Sequence, residues 1–143
     1  MEFSLSSEQE MIIDTVRSFV EQELYPHEEE VEKTNHIDTG LAESIKQKAI
    51  NLGLYATNMP VKYGGGGLDT LTLCLLEKEL GKANFGLQYI VARPSNILMA
   101  CKDEQIDKYL VPTIRGEKVD CLAMTEPNAG SDVVSMKLRA DKK

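Results

Sequence analysis

Tryptophan is absent from this 143-residue chain, histidine occurs twice and cysteine three times. Those shortages remove whole classes of chemistry. Cys74, Cys101 and Cys121 are odd in number, stand 27 and 20 residues apart and form no CxxC pair. A disulfide framework or a zinc site is therefore not expected, and the thiols read as reduced members of the core. His27 and His36 are nine residues apart among acidic neighbours and read as exposed side chains rather than as a general base. Ser6 and Ser7 have no histidine and aspartate in register, so nucleophilic hydrolysis has no support.

Positive charge is also short. Sixteen Lys and Arg against 23 Asp and Glu leave a formal charge of -7, which repels nucleic acid and anionic membrane surfaces. Long apolar runs are missing. The stretch Leu71 to Leu76, interrupted by Thr72, is far too short to cross a bilayer. The start, "MEFSLSSEQE", is acidic and lacks the basic and apolar regions of a signal peptide, so a cytoplasmic location is the expectation. What is abundant is apolar material for a core, at 42% of residues.

That material is arranged mostly with helical period. Ser7 and Glu10 have capping-box spacing ahead of Ile12, Val16, Val20 and Leu24. Pro26 suits the first turn of a short second helix, "PHEEEVEK", whose acids favour the dipole's N-terminal end and form a solvated face. Asp38 or Thr39 caps a third helix carrying Leu41, Ile45, Ala49 and Leu52, with Gly53 at the left-handed stop. A fourth starts at Asp69 or Thr70 and runs to about Ala83, with Leu73, Leu76 and Leu80 on one side. The segment from Phe85 to Ala100 is helix-permissive except at Pro94, and Asp103 caps a further helix expected to stop near Pro112.

After Gly116 the period changes to two. "VDCLAMT" and "VVSMKLRAD" read as strands around a polar turn, and two strands alone cannot make a stable sheet. The expected fold class is mainly α: about five to six helices, followed by the first strands of an unfinished second domain. The boundary falls between residues 1–118 and 119–143, and the chain reads as stopping inside a second domain.

Two stretches invite a phosphate. "YGGGGLDT" places four glycines before a helix, but neither GxGxxG nor GxxxxGK[ST] fits it. It reads as a tight connection. "MTEPNAGSD", Met124 to Asp132, is chemically richer: Thr125 leads into a Pro127 turn, then Ala129-Gly130-Ser131 offers small residues, free N–H groups and a hydroxyl. Those are parts for gripping a flat heterocycle and a diphosphate, and equally those of an unliganded polar turn.

The ordered blocks "SLSSEQEMIIDTVRSFV", "GLYATNMPVKYGGGGLD", "EQIDKYLVPTIRGE" and "CLAMTEPNAGSD" resemble the acyl-CoA dehydrogenases over essentially the whole chain. The resemblance implies an N-terminal helical domain, here an orthogonal helical bundle over 1–118, a middle β-barrel domain, here incomplete with only its first strands over 119–143, and a C-terminal four-helix bundle, assembled into homo-oligomers. It implies FAD as cofactor, acyl-CoA as substrate and electron-transfer flavoprotein or another acceptor as partner. By the same resemblance Leu122, Met124, Thr125, Gly130 and Ser131 are FAD-binding positions. Thr125 would meet the flavin's pyrimidine end, Gly130 and Ser131 the diphosphate, and Ser131 also the acyl-CoA thioester arm. Many relatives carry an aromatic where Leu122 stands. Glu126 belongs to the motif without being the family's base.

The implied reaction is α,β-desaturation: a carboxylate takes the α-proton, hydrogen bonds to the thioester oxygen stabilise enolate charge, and the β-hydride passes to the flavin. The family's base comes from the C-terminal bundle, so no catalytic residue is expected among these 143, and the chain alone is expected to be inactive. Two other functions remain open: a noncatalytic module that binds a complementing subunit, and a flavin oxidase or monooxygenase of the same fold. Arg93 reads as a surface-reaching arginine, and Phe85, Leu87, Tyr89 and Ile97 as acyl-tunnel or core residues.

Overall fold

The structure, a computed structural model, describes residues 4–91 and 94–141; Arg93 lies outside them. Helix α1, Ser7–Phe19, begins one residue earlier than the Ser7 cap implies. Ser6 Oγ accepts the Gln9 N–H at 3.2 Å and Gln9 Oε1 accepts the Ser6 N–H at 3.1 Å. Both serines have the spacing of a capping box, but only the Ser6 register lets Gln9 Nε2 also donate to Thr72 Oγ1, at 3.3 Å. A tertiary contact thus selects between two local solutions.

The chain continues from α1 through a π-helical turn, Val20–Leu24, and a 3-10 turn, Tyr25–His27, into α2, Glu28–Thr34. Pro26 accounts for this loosening, since it has no N–H and its ring clashes with the carbonyl four residues back. Asn35, with φ 50°, ends α2 in the left-handed conformation that asparagine tolerates. His36 is exposed as expected, whereas His27 is half-buried, because the 3-10 turn rotates it toward Val31 and Ile37.

Helix α3, Thr39–Asn51, is capped by Asp38, whose carboxylate accepts the Gly40 and Leu41 N–H groups at 2.9 and 3.1 Å. Helix α4, Thr70–Leu80, is capped in the same way by Asp69. Helices α1 and α4 form the most extensive helix pair among the described elements. Their buried side chains Val16, Phe19, Leu76 and Leu80 join Val20 of the π-helical turn, Ile45 and Ala49 of α3 and Leu87 in the main core. Two sequence expectations fail at its edge. Leu52 stays exposed beyond the last turn of α3, and Cys74 is exposed on the outer side of α4. Cys121 is exposed as well, so only Cys101 is partly buried.

A buried carboxylate belongs to the α1–α4 contact. Glu79 is buried, and its Oε2 accepts from Lys82 Nζ at 2.6 Å and from Arg17 Nε at 3.2 Å. The lysine bond, aided by the arginine, holds the Glu79 carboxyl below its usual range although burial pushes the other way. Asp69 is also lowered, first by the Thr72 hydroxyl and then by the backbone N–H groups it caps.

The glycine run links α3 to α4, and its N–H groups are all consumed. Gly64, Gly65, Gly66 and Gly67 donate to the carbonyls of Val61, Pro60, Ala56 and Met59, at 2.9, 3.2, 3.0 and 2.9 Å. None is left to face an anion. The glycines are needed for space and for chain direction: a Cβ on Gly65 would stand 2.2 Å from the Met59 carbonyl oxygen, and Gly67 has φ +62°. This knot carries a second core of Ala56, Met59, Leu110 and Ile114.

Helix α5, Phe85–Ile90, is short, capped by Asn84. A 3-10 turn, Asn96–Ala100, follows Pro94, which behaves as a break. The last rod spans 104–114, with a π-helical centre, Ile106–Leu110, leading into α6, Val111–Ile114. It passes through Pro112 rather than stopping there. The wider π turn before α6 accommodates a residue without an N–H, and Gly116 at φ +74° makes the actual stop. The mainly α class and the number of helices agree with expectation. Beyond 118 the expected strands do not form: among the described residues there is an isolated bridge, Glu126 to Ala129, and a 3-10 turn, Val133–Ser135. Strand sequences without neighbouring strands have no ladder to join.

Three measurements test this account. Leu87→Ala, at a side chain with 0% exposure, is expected to cost about 2–5 kcal/mol in denaturant unfolding. Gly65→Ala is expected to cost about 1–3 kcal/mol, although the site is a surface loop, because the clash is with backbone. Because Glu79 and Asp69 have folded pKa values below their unfolded ones, their contribution is present above the unfolded carboxylate range and is lost as pH falls through the folded value. Glu79→Gln should flatten the acid limb of a Tm-against-pH curve, and an unchanged limb would contradict the assignment.

Candidate functional site

The polar turn after the helices is closed by a pair of backbone bonds. Glu126 N–H donates to Ala129 O at 2.9 Å and Ala129 N–H donates to Glu126 O at 3.2 Å. Pro127 and Asn128 occupy the corner, where proline's fixed φ suits the first position and asparagine the second. Thr125 and Gly130 leave this bridge on its two arms. Ala129 is buried, while Thr125, Gly130 and Ser131 are exposed.

The far side of the loop is held by side chains. Glu126 Oε2 accepts the Lys137 N–H and Oε1 the Leu138 N–H, both at 2.9 Å. Ser135 Oγ donates to Asp132 Oδ2 within the 3-10 turn. Between these fastenings, the N–H groups of Gly130 and Ser131 donate to no acceptor among the described residues. A Cβ built on Gly130 meets nothing within 4 Å. The space where a Gly130 side chain would stand is open.

The approach to the turn, residues 119–122, is fastened at Asp120, whose Oδ2 accepts the Ser95 N–H at 3.1 Å. Half-buried Tyr55 has its phenol pKa raised, first by burial and then by the Asp120 charge. A hollow of about 420 Å³ lies on one side, lined by Lys46, Tyr55, Tyr89, Ile90, Ser95 and Leu122 among others. A second, of about 590 Å³, also borders residues 119–121 and is lined by Ile97, Cys101, Tyr109 and Lys118. Both are in the size range of small-molecule sites.

The five positions singled out from the sequence therefore fall on one continuous extended-and-turned segment. Leu122 and Met124 are exposed apolar side chains at 59% and 39%, on the approach to Thr125. The donor set suits an anionic dinucleotide: two unpaired backbone N–H groups and the Ser131 hydroxyl for a diphosphate, Thr125 for a polar ring edge, and apolar cover from Leu122 and Met124. The proposed tunnel residues divide. Leu87 is core, Tyr89 faces the first hollow and Ile97 the second, while Phe85 is exposed with its ring centroid 6.1 Å from that of Tyr89. Sequence reasoning missed Asp120 and the fastening role of Glu126. No local pattern marks either, because their partners are 25, 11 and 12 residues away. No helix among the described residues is long and apolar enough to cross a membrane.

Comparison with known proteins gives the same answer from sequence and from shape. The chain is 40% identical to the mitochondrial isovaleryl-CoA dehydrogenase of Pongo abelii, across 97% of this chain and 34% of that protein. Its fold superimposes with a TM-score of 0.74 on an acyl-CoA dehydrogenase complexed with FAD from Bacillus anthracis, at 29% identity, covering 94% of this chain and 23% of that one. It also superimposes, at 0.76 and 28% identity, on glutaryl-CoA dehydrogenase from Mycobacterium smegmatis, covering 93% of this chain and 35% of that one. The chain spans about a third of the length of the curated relatives it matches. The family model for the acyl-CoA dehydrogenase N-terminal domain matches residues 6–117, and the chain belongs to the acyl-CoA dehydrogenase family.

Proposed function

We propose that these residues are the N-terminal portion of a flavin-dependent acyl-CoA dehydrogenase, with residues 1–118 as its helical domain and 119–143 as the opening of its middle β domain. The observation that carries the reading is the pair of unused N–H groups at Gly130 and Ser131, set one turn beyond Thr125. When bound, FAD would supply the hydride acceptor for α,β-desaturation of an acyl-CoA thioester.

The chain's own residues bind and orient. Gly130 brings bare backbone close to a diphosphate, where any side chain would stand between them. Ser131 adds a hydroxyl donor there and lies beside the thioester arm of the substrate. Thr125 offers hydroxyl and backbone groups to the flavin's polar edge, and Leu122 and Met124 exclude water from its apolar flank. None of these side chains is a base of the right kind. The carboxylate that takes the α-proton belongs, in this reading, to the family's C-terminal bundle, so the 143 residues alone are expected not to turn over substrate. An electron-transfer flavoprotein or similar acceptor would then reoxidise the flavin, within a homo-oligomer.

The test uses the freedom at Gly130. Since a Cβ there meets no protein atom, Gly130→Val should leave the thermal midpoint unchanged while weakening FAD uptake, followed by the visible flavin spectrum, by at least about tenfold. The chain joined to the middle and C-terminal segments of the family should reduce an acceptor with an acyl-CoA. A joined protein that neither holds flavin nor responds to any acyl-CoA would defeat the proposal.

A further inference from the structure

Every polar group of Glu126 is committed to the loop that follows it. Its N–H and C=O bond Ala129 at 2.9 and 3.2 Å, and its two carboxylate oxygens accept the N–H groups of Lys137 and Leu138 at 2.9 Å each. One residue thus fastens the near arm through its backbone and the far arm through its side chain. Gly130 and Ser131 lie between the two fastenings, with their N–H groups left over. An ionised carboxylate accepting two consecutive backbone N–H groups makes short, charge-assisted bonds of the stronger kind.

We propose that Glu126 is a positioning residue for the dinucleotide: it pre-forms the 126–138 loop so that the Gly130 and Ser131 N–H groups meet a diphosphate without further ordering. The proposal rests on the flavin reading of this turn. A loop already fixed loses less conformational entropy on binding, and that saving appears directly in affinity. The alternative role for the same residue has the opposite sign. Glu126 brings a negative charge into a loop meant for an anion, alongside Asp132 and against the cations Lys137 and Arg139. If it acted only as a charge, neutralising it would tighten the binding of a diphosphate. If it acts as a brace, neutralising it weakens that binding.

The experiment compares wild type, Glu126→Gln and Glu126→Ala, using the 143-residue chain itself. Amide hydrogen exchange is read at Lys137 and Leu138, and FAD and inorganic diphosphate are titrated by flavin fluorescence and calorimetry. Glu126→Ala should accelerate exchange at those two amides, leave the amide of Leu76 in the middle of α4 protected, and raise the Kd for FAD about tenfold. Glu126→Gln should fall between, since its amide oxygen accepts one N–H while its NH₂ group opposes the other. Unchanged exchange in Glu126→Ala overturns the brace alone. Faster exchange with equal or tighter FAD binding overturns the positioning role. A wild-type chain that protects both amides yet takes up neither FAD nor diphosphate, alone or joined to the middle and C-terminal segments of the family, overturns the flavin reading, and the positioning role with it.

Discussion

Backbone hydrogen bonds in the 56–68 connection hold the two halves of the helical region in register. The carbonyl of Ala56 accepts from Met59 and from Gly66, and that of Thr57 accepts from Leu68. The same few residues therefore close the end of the segment after α3 and launch α4. Ala56 reaches this arrangement at φ 55°, a strained conformation for a residue with a Cβ, while being 1% exposed. The surrounding bonds over-determine that strain. On one side of the knot lies the main core of α1, α3, α4 and Leu87; on the other lies the smaller core of Met59, Leu110 and Ile114. Because the rod over 104–114 packs on the second core, it fixes where residues 119–122 emerge. The site downstream inherits its position from a loop whose four glycine N–H groups are spent within the chain.

The elements that could be read from sequence are those whose causes are local. Asp38 and Asp69 cap helices because a short carboxylate reaches N–H groups two and three residues on, and Gly53 stops α3 because only the left-handed region turns the chain there. Residues with distant partners were misjudged or missed. The Ser6 register depends on Gln9 meeting Thr72, which is 63 positions away. Glu79 looks like one more surface acid of α4 until Arg17 is brought over it. The terminal strands fail for a related reason, since period-two sequence specifies a face but supplies no neighbour. Residue type alone reads Cys74 and Cys121 as core thiols, and type says nothing of which helix face or extended segment carries them.

Both glycine-containing loops raise the question of anion binding, and hydrogen-bond accounting separates them. A phosphate needs N–H groups that are held in place but not used. In the 64–67 run all four are held and all four are used, by carbonyls of the preceding turn. At Gly130 and Ser131 none is used, and the holding is done by neighbours on both sides. Glycine count is therefore a poor guide and can even mislead, since consecutive glycines let a chain fold back tightly enough to satisfy itself. A single glycine between two fastenings leaves its donor free.

This division of labour also explains why an acidic residue can sit in a loop proposed to receive a diphosphate. Glu126 directs both carboxylate oxygens toward Lys137 and Leu138, so its charge is spent on backbone dipoles instead of projecting beside Gly130. Asp132 is occupied in the same way by the Ser135 hydroxyl. A lysine or arginine in place of Glu126 would attract the anion but could accept no N–H, leaving two donors without partners and the far arm loose. Attraction falls off with salt and distance, whereas preorganisation acts on every molecule of the ligand that arrives. For an acidic, glycine-bearing turn whose affinity comes from backbone N–H groups, a residue that fixes those groups contributes more than one that merely adds positive charge.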